Sequence, residues 1–156
     1  MISFKPLNSS HLKALSNILK GFDKISPKDL HRFGLSWSDA QIQSALDKDI
    51  CFGLFESDRL VSVIIGRRIG PTFEIDMTIT NPLDLKKGFM KRLLEESIEY
   101  LKTQGTKQIW LEVNEDNLPA VAFYKKMGFA MNSIRPKYYP DGRGAILMTL
   151  HLSPQP

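Results

Sequence analysis

The chain has 156 residues, 42% hydrophobic and 24% charged, with 10 Gly and 9 Pro, which excludes disordered and fibrous classes and fits one globular domain over 1–156. A single cysteine, Cys51, and three scattered histidines, His11, His31 and His151, exclude an intrachain disulfide framework and supply no metal site. The net charge of +4, from 21 Lys and Arg against 17 Asp and Glu, is compatible with nucleic acid, acidic protein or phosphate-bearing small molecules and selects none of them. No run approaches the roughly 20 apolar residues of a membrane span, and the N-terminus carries no apolar signal segment. A reducing, cytoplasmic setting is expected.

In chain order, Asn8, Ser9 and Ser10 offer N-caps for a helix with Leu12, Leu15, Ile18 and Leu19 on one face and Gly21 as its stop. Ser26-Pro27 opens a short helix ending near Gly34, and Ser38 with Gln41 forms a capping-box pattern ahead of Ile42, Ala45 and Leu46. The pattern then changes to short apolar runs over 50–55, 60–69 and 73–80, divided by Ser57-Asp58 and Gly70-Pro71. These read as an antiparallel meander. After Asn81-Pro82 the helical period returns, with Leu85, Phe89, Leu93, Ser97, Ile98 and Leu101 on one stripe. Residues 109–113 alternate as a strand, and the crossover makes it parallel to 73–80. A helix over 118–126 capped by Gly128, then strands over 129–134 and 145–152, complete a mixed α+β order.

Four places carry candidate chemistry. Lys86, Lys87, Lys91 and Arg92 crowd the start of the long helix around Gly88, where free backbone N–H groups and the helix dipole favour anions. A phosphate-binding turn and a solvated basic face are the two readings. Glu112 stands between apolar neighbours, where burial would move a carboxylate toward general-base strength; an edge glutamate facing water is the other reading. Tyr124 is a proton donor or a core ring. Asn117 reads as the N-cap of the helix that follows it. Cys51, inside an apolar strand, reads as a packed thiol rather than an acyl carrier.

Taken together, Trp110-Leu111-Glu112-Val113, Asn117, Ala120, Phe123-Tyr124 through Met127-Gly128-Phe129, Arg135, Tyr138-Tyr139-Pro140 and Ala145-Ile146-Leu147-Met148 closely resemble the C-terminal half of the GNAT superfamily of acyl-CoA-dependent N-acetyltransferases. Within it they are nearest to the bacterial ribosomal-protein alanine N-acetyltransferase (RimI-type) branch. The resemblance runs from about Phe73 to Leu150, with weaker cues such as Trp37-Ser38 extending it. It implies a GNAT-like fold: a mixed sheet of six or seven strands with a splayed parallel pair, flanked by helices. It implies acetyl-CoA as cosubstrate and no metal. The splayed strands would admit the pantetheine arm, paired by the backbone of Thr78, Ile79 and Thr80. The turn of Lys86, Lys87, Gly88, Phe89, Met90 and Lys91 would hold the pyrophosphate, and Asn117 would contact the cofactor. Tyr124 would lie near the sulfur, and Glu112 would be the general base.

The sequence departs from the family at Leu85, where Gln or Arg is usual, and at Met90, which replaces a small residue and would crowd the phosphates. Asn114 stands where the alanine-acetylating branch generally has Arg, and the loop after Pro140 is short.

Direct transfer to an amine is the expected activity. A free α-amine (pKa about 7.7–8.0) deprotonates more readily than lysine (about 10.4), which favours a protein or peptide N-terminus as acceptor; the resemblance implies a ribosomal or other protein. Small-amine, polyamine or antibiotic acetylation and a non-catalytic GNAT-shaped binding module are the alternatives. Neither membrane nor nucleic acid is required as a partner.

Overall fold

The computed structural model describes residues 1–25 and 37–152. Among them, strands β1 (Ile2–Pro6), β2 (Ile50–Glu56), β3 (Arg59–Ile69), β4 (Thr72–Thr80), β5 (Gln108–Asn114), β6 (Ala130–Arg135) and β7 (Ala145–His151) form one sheet in the order β1-β2-β3-β4-β5-β7-β6. The helices are α1 (Leu12–Ile25), α2 (Asp39–Lys48), α3 (Phe89–Thr103) and α4 (Leu118–Lys126). Among the described residues only β4 and β5 pair in parallel; the other neighbours are antiparallel. The expected meander and βαβ crossover are both present. No helix among the described residues is long and apolar enough to cross a membrane.

The apolar runs of β2 and β3 do not alternate because the sheet is covered on both faces. On one face Leu93, Leu94 and Leu101 of α3 and Val121 and Tyr124 of α4 pack over Phe52, Phe73, Ile109 and Met148. On the other, Leu15, Ile18 and Leu19 of α1 and Ile42, Ala45 and Leu46 of α2 pack over Val63, Ile65, Met77 and Ile79. Burying each such side chain contributes about 1.5–3 kcal/mol. Ser16 Oγ, donating to Asp39 Oδ1 at 2.7 Å, ties α1 to α2.

Strand β4 serves both cores although its apolar residues keep strict period two. Ile65 pairs with Met77 and the next residue, Gly66, with Ile75, so Asp76 is an extra residue in β4. This bulge turns the strand over. Phe73 and Ile75 enter the α3/α4 core, Met77 and Ile79 the α1/α2 core.

Several boundaries differ from expectation. Helix α1 runs past Gly21 to Ile25. A Cβ on Gly21 would lie 3.4 Å from Pro82 Cγ, an ordinary contact distance, so space alone does not call for glycine there. The long helix starts at Phe89, not before Leu85: Pro82–Asp84 is a 3-10 turn, Leu85 is extended and half exposed, and Gly88 takes φ 77°. Ser38 and Gln41 form the expected capping box, and Gly128 ends α4 with φ 100°. Phe129 is a core residue, and β6 begins after it as an edge strand whose residues are all at least partly exposed. The short helix expected from Ser26 to Gly34 lies outside the described residues.

Gly66 sits opposite the bulge, where a Cβ would strike the Phe73 ring and stand 2.5 Å from the Glu74 carbonyl oxygen. Backbone cannot yield as a side-chain tip does. Gly66→Ala is expected to cost about 2 kcal/mol and lower Tm by roughly 4–8 °C in a thermal melt.

Candidate active site

The parallel pairing of β4 with β5 runs only from Thr72–Gln108 to Ile75–Leu111. Beyond the bulge the strands part: 77–80 pair with β3 alone and 112–114 with β7 alone. A cleft of about 650 Å³ opens in the gap, lined by Thr78, Ile79 and Thr80 of β4, Glu112 of β5 and Asn117 and Tyr124 of α4. Lys86, Gly88, Phe89, Met90 and Lys91 line its other end. Eleven of the twelve site residues expected from sequence therefore surround one space. Lys87 is the exception, its ammonium turned to Asp84 at 3.1 Å.

At that end, Gly88 caps α3 in the left-handed region with no side-chain cap, so the first backbone N–H groups of the helix stay available to an anion. A Cβ at Gly88 would meet nothing within 4 Å; the positive φ, not crowding, calls for glycine. The basic cluster is less free than the sequence implied. Lys91 reaches Glu95 at 3.8 Å and Arg92 reaches Glu96 at 3.5 Å, both exposed pairs one helical turn apart. Among the described residues Lys86 is the one cation of the four without an ion pair. Met90 is half-buried and packs against the α3/α4 core.

Tyr124 is both core ring and cleft residue. Its ring stacks edge-on against Phe123 and Phe129, and its hydroxyl lies 2.8 Å from Thr78 Oγ1. Burial pushes the phenol above its ordinary pKa, opposed by the Thr78 bond, so the group stays protonated through neutral pH. Thr78 was expected to act through its backbone; its side chain in addition hydrogen-bonds the tyrosine. Asn117 caps α4, its Oδ1 accepting from Ala120 N at 3.4 Å, and lines the cleft as well.

Glu112 departs from the expected apolar setting. Strand alternation puts it on the face opposite Leu111 and Val113. Through β7 it shares that face with Ser133 and Arg135, and the Arg135 guanidinium stands 3.3 Å from its carboxylate. Arg135 also lies over the Tyr138 ring at 5.6 Å. The Glu112 charge is the largest cause holding Tyr138 above its usual pKa, whereas burial, then Glu112, pushes Tyr139 up to about 12. This ion pair and the Thr78–Tyr124 bond went unread in the sequence, because each joins residues far apart in the chain. Burial likewise raises the Cys51 thiol to about 12, as fits a packed side chain.

A model of the acetyltransferase (GNAT) family matches residues 17–129; the chain belongs to this family and is an acetyl-CoA-dependent N-acetyltransferase. It is similar to the ribosomal protein bS18-alanine N-acetyltransferases of Salmonella typhimurium LT2 (33% identity over 103 residues, 64% of this chain and 70% of that protein) and Escherichia coli K12 (31% over 121 residues, 75% and 82%). The crystal structure of the ribosomal-protein-S18-alanine N-acetyltransferase from Escherichia coli matches with a TM-score of 0.85 at 26% identity, covering 100% of this chain and 97% of that one. The PaiA N-acetyltransferase of Thermoplasma acidophilum, solved in complex with coenzyme A, shares the fold (TM-score 0.76, 18% identity, 97% and 99% covered).

Because Tyr124 and Tyr139 are raised in the folded state, their stabilising contribution is full below the ordinary tyrosine pKa of about 10. It is lost as pH climbs through the folded values. Tyr139→Phe is expected to flatten the fall of the urea midpoint between about pH 9.5 and 11.5, measured beside the wild type.

Proposed function

We propose that the protein acetylates the α-amine of a protein or peptide N-terminus, ribosomal proteins included, by direct transfer in the cytoplasm. The observation that carries this reading is the meeting of Glu112 and the protonated Tyr124 in one cleft whose far end is a helix N-terminus beside Lys86. The likeness to the bS18-alanine N-acetyltransferases supports the choice of acceptor.

Acetyl-CoA supplies the activated thioester. The residues present fit it: the β5-facing edge of 77–80 has no strand partner among the described residues, which suits an extended amide-bearing arm. The turn from Lys86 to Lys91 suits a pyrophosphate. Glu112 takes a proton from the acceptor ammonium, directly or through water. The free amine attacks the thioester carbonyl, the new N–C bond forms as the C–S bond breaks, Tyr124 gives its proton to the departing thiolate, and the nitrogen's second proton leaves to solvent, from which Tyr124 is reprotonated. A thiol leaving group near pKa 8.5, by analogy with cysteine, needs only moderate acid help. Arg135 and the Tyr138-Tyr139 loop flank the base and would border the acceptor.

Tyr124→Phe is expected to lower kcat about 10- to 100-fold with acetyl-CoA affinity unchanged by calorimetry. Full kcat would remove Tyr124 as the acid. Without the base, only acceptor already deprotonated in solution reacts, so Glu112→Gln should lose most kcat/KM toward low pH. A parallel profile would exclude it.

Thiol release measured across N-terminal peptides, lysine peptides and polyamines tests the acceptor. N-terminal peptides are expected to lead, and preference for polyamines would overturn the assignment. Micromolar acetyl-CoA binding is expected; its absence would favour a binding module.

A further inference from the structure

Asp84 stands in the 3-10 turn before the basic cluster and is 1% exposed. A carboxylate at that depth is costly unless it is paired and hydrogen-bonded. Arg59 grips it with both terminal nitrogens, Nη1 donating to Oδ2 at 2.6 Å and Nη2 to Oδ1 at 2.9 Å, while Lys87 Nζ donates to Oδ1 at 3.1 Å. Together they hold the Asp84 carboxyl below the usual carboxylate range, the Arg59 hydrogen bond contributing most.

The two cations come from different parts of the fold. Arg59 opens β3 just after the β2–β3 hairpin turn and is braced by Glu56 at 3.0 Å. Lys87 lies in the turn that joins Asp84 to α3. The main chain adds two fastenings: Asn81 N–H donates to the Val61 carbonyl at 2.7 Å, and Asp84 N–H donates to the Asn81 carbonyl at 2.8 Å. From Asp84 onward the backbone must pass Lys86 at φ 64° and Gly88 at φ 77° before entering α3. A left-handed lysine is strained and persists where its surroundings enforce it. Pinning the next side chain, Lys87, to a buried anchor does that.

We propose that Asp84 is a positioning residue for the donor's phosphates: through Lys87 and Arg59 it fixes the 85–88 turn so that Lys86 and the first N–H groups of α3 face the cleft. This rests on the reading that the turn seats those phosphates. Asp84 also places a negative charge close to that seat. If its charge were its whole effect, neutralising it would tighten binding of a polyanion; a positioning role gives the opposite sign.

The test compares acetyl-CoA with acetyl-pantetheine, which carries the same thioester and no phosphates, in wild type, Asp84→Asn, Arg59→Gln and the double variant. Each protein's fold is checked by thermal melt. Expected is a rise of about tenfold in KM for acetyl-CoA in either single variant, with kcat and KM for acetyl-pantetheine unchanged. The double variant is expected to be no worse than Asp84→Asn, because both residues act through one bond. An unchanged or lower KM for acetyl-CoA, or an equal rise for both donors, would overturn the role. If wild type itself makes no distinction between the donors, the phosphate seat fails first. Should Asp84→Asn not fold, Arg59→Gln, altered at a half-exposed residue away from the cleft, decides alone.

Discussion

Strands β4 and β5 are hydrogen-bonded from Thr72–Gln108 to Ile75–Leu111 and then part company, and the geometry of the cleft follows from that limit. A sheet interior with unpaired edges costs free energy unless water or a ligand satisfies the exposed groups. The separation is enforced by the extra residue at Asp76, which turns β4 over and commits Met77 and Ile79 to the α1/α2 core. The apolar pull of that second core therefore keeps β4 from following β5. It also points Thr78 back toward Tyr124, so the device that opens the cleft also aims its hydroxyl pair.

Charges are arranged around this gap with little left unpaired. At one end three of the four clustered cations are matched by Asp84, Glu95 and Glu96. At the other, Glu112 is matched by Arg135. The exposed pairs among them, Lys91–Glu95 and Arg92–Glu96, contribute little to stability, about 0–1 kcal/mol. Their larger effect is to hold long side chains in fixed directions, while the helix N-terminus, Lys86, Glu112 and the Thr78–Tyr124 hydroxyl pair remain among the polar features that line the space.

Element order and the crossover were legible in the sequence because hydrophobic period is a local property. The helical stripe of α3, the alternation of β5 and the cap at Ser38 all declare themselves within a dozen residues. The candidate residues could be located for the same reason, each standing at an element terminus or an odd position within one. The bulge at Asp76 left no trace, since the β4 apolar residues keep period two straight through it. Lys87 was read as a cleft cation because its partner Asp84 resembles any turn aspartate until Arg59, 25 residues earlier, is brought beside it. Glu112 was left between a desolvated carboxylate and a water-facing edge, and neither reading included Arg135, which arrives only through the β5-β7-β6 order. What escaped is pairwise and non-local, and local pattern carries no record of it.

The parted strands have a mechanical meaning as well as a chemical one. The sheet is two half-sheets, β1 to β4 and β5-β7-β6, stitched along a short seam, with α3 lying over β2 to β4. An extended arm seated in the gap as proposed would act as a removable strand between the halves, so donor occupancy and sheet stiffness would vary together. Product release would then require the body of the protein to slacken, placing the exit of the thiol and the softening of the scaffold on one coordinate.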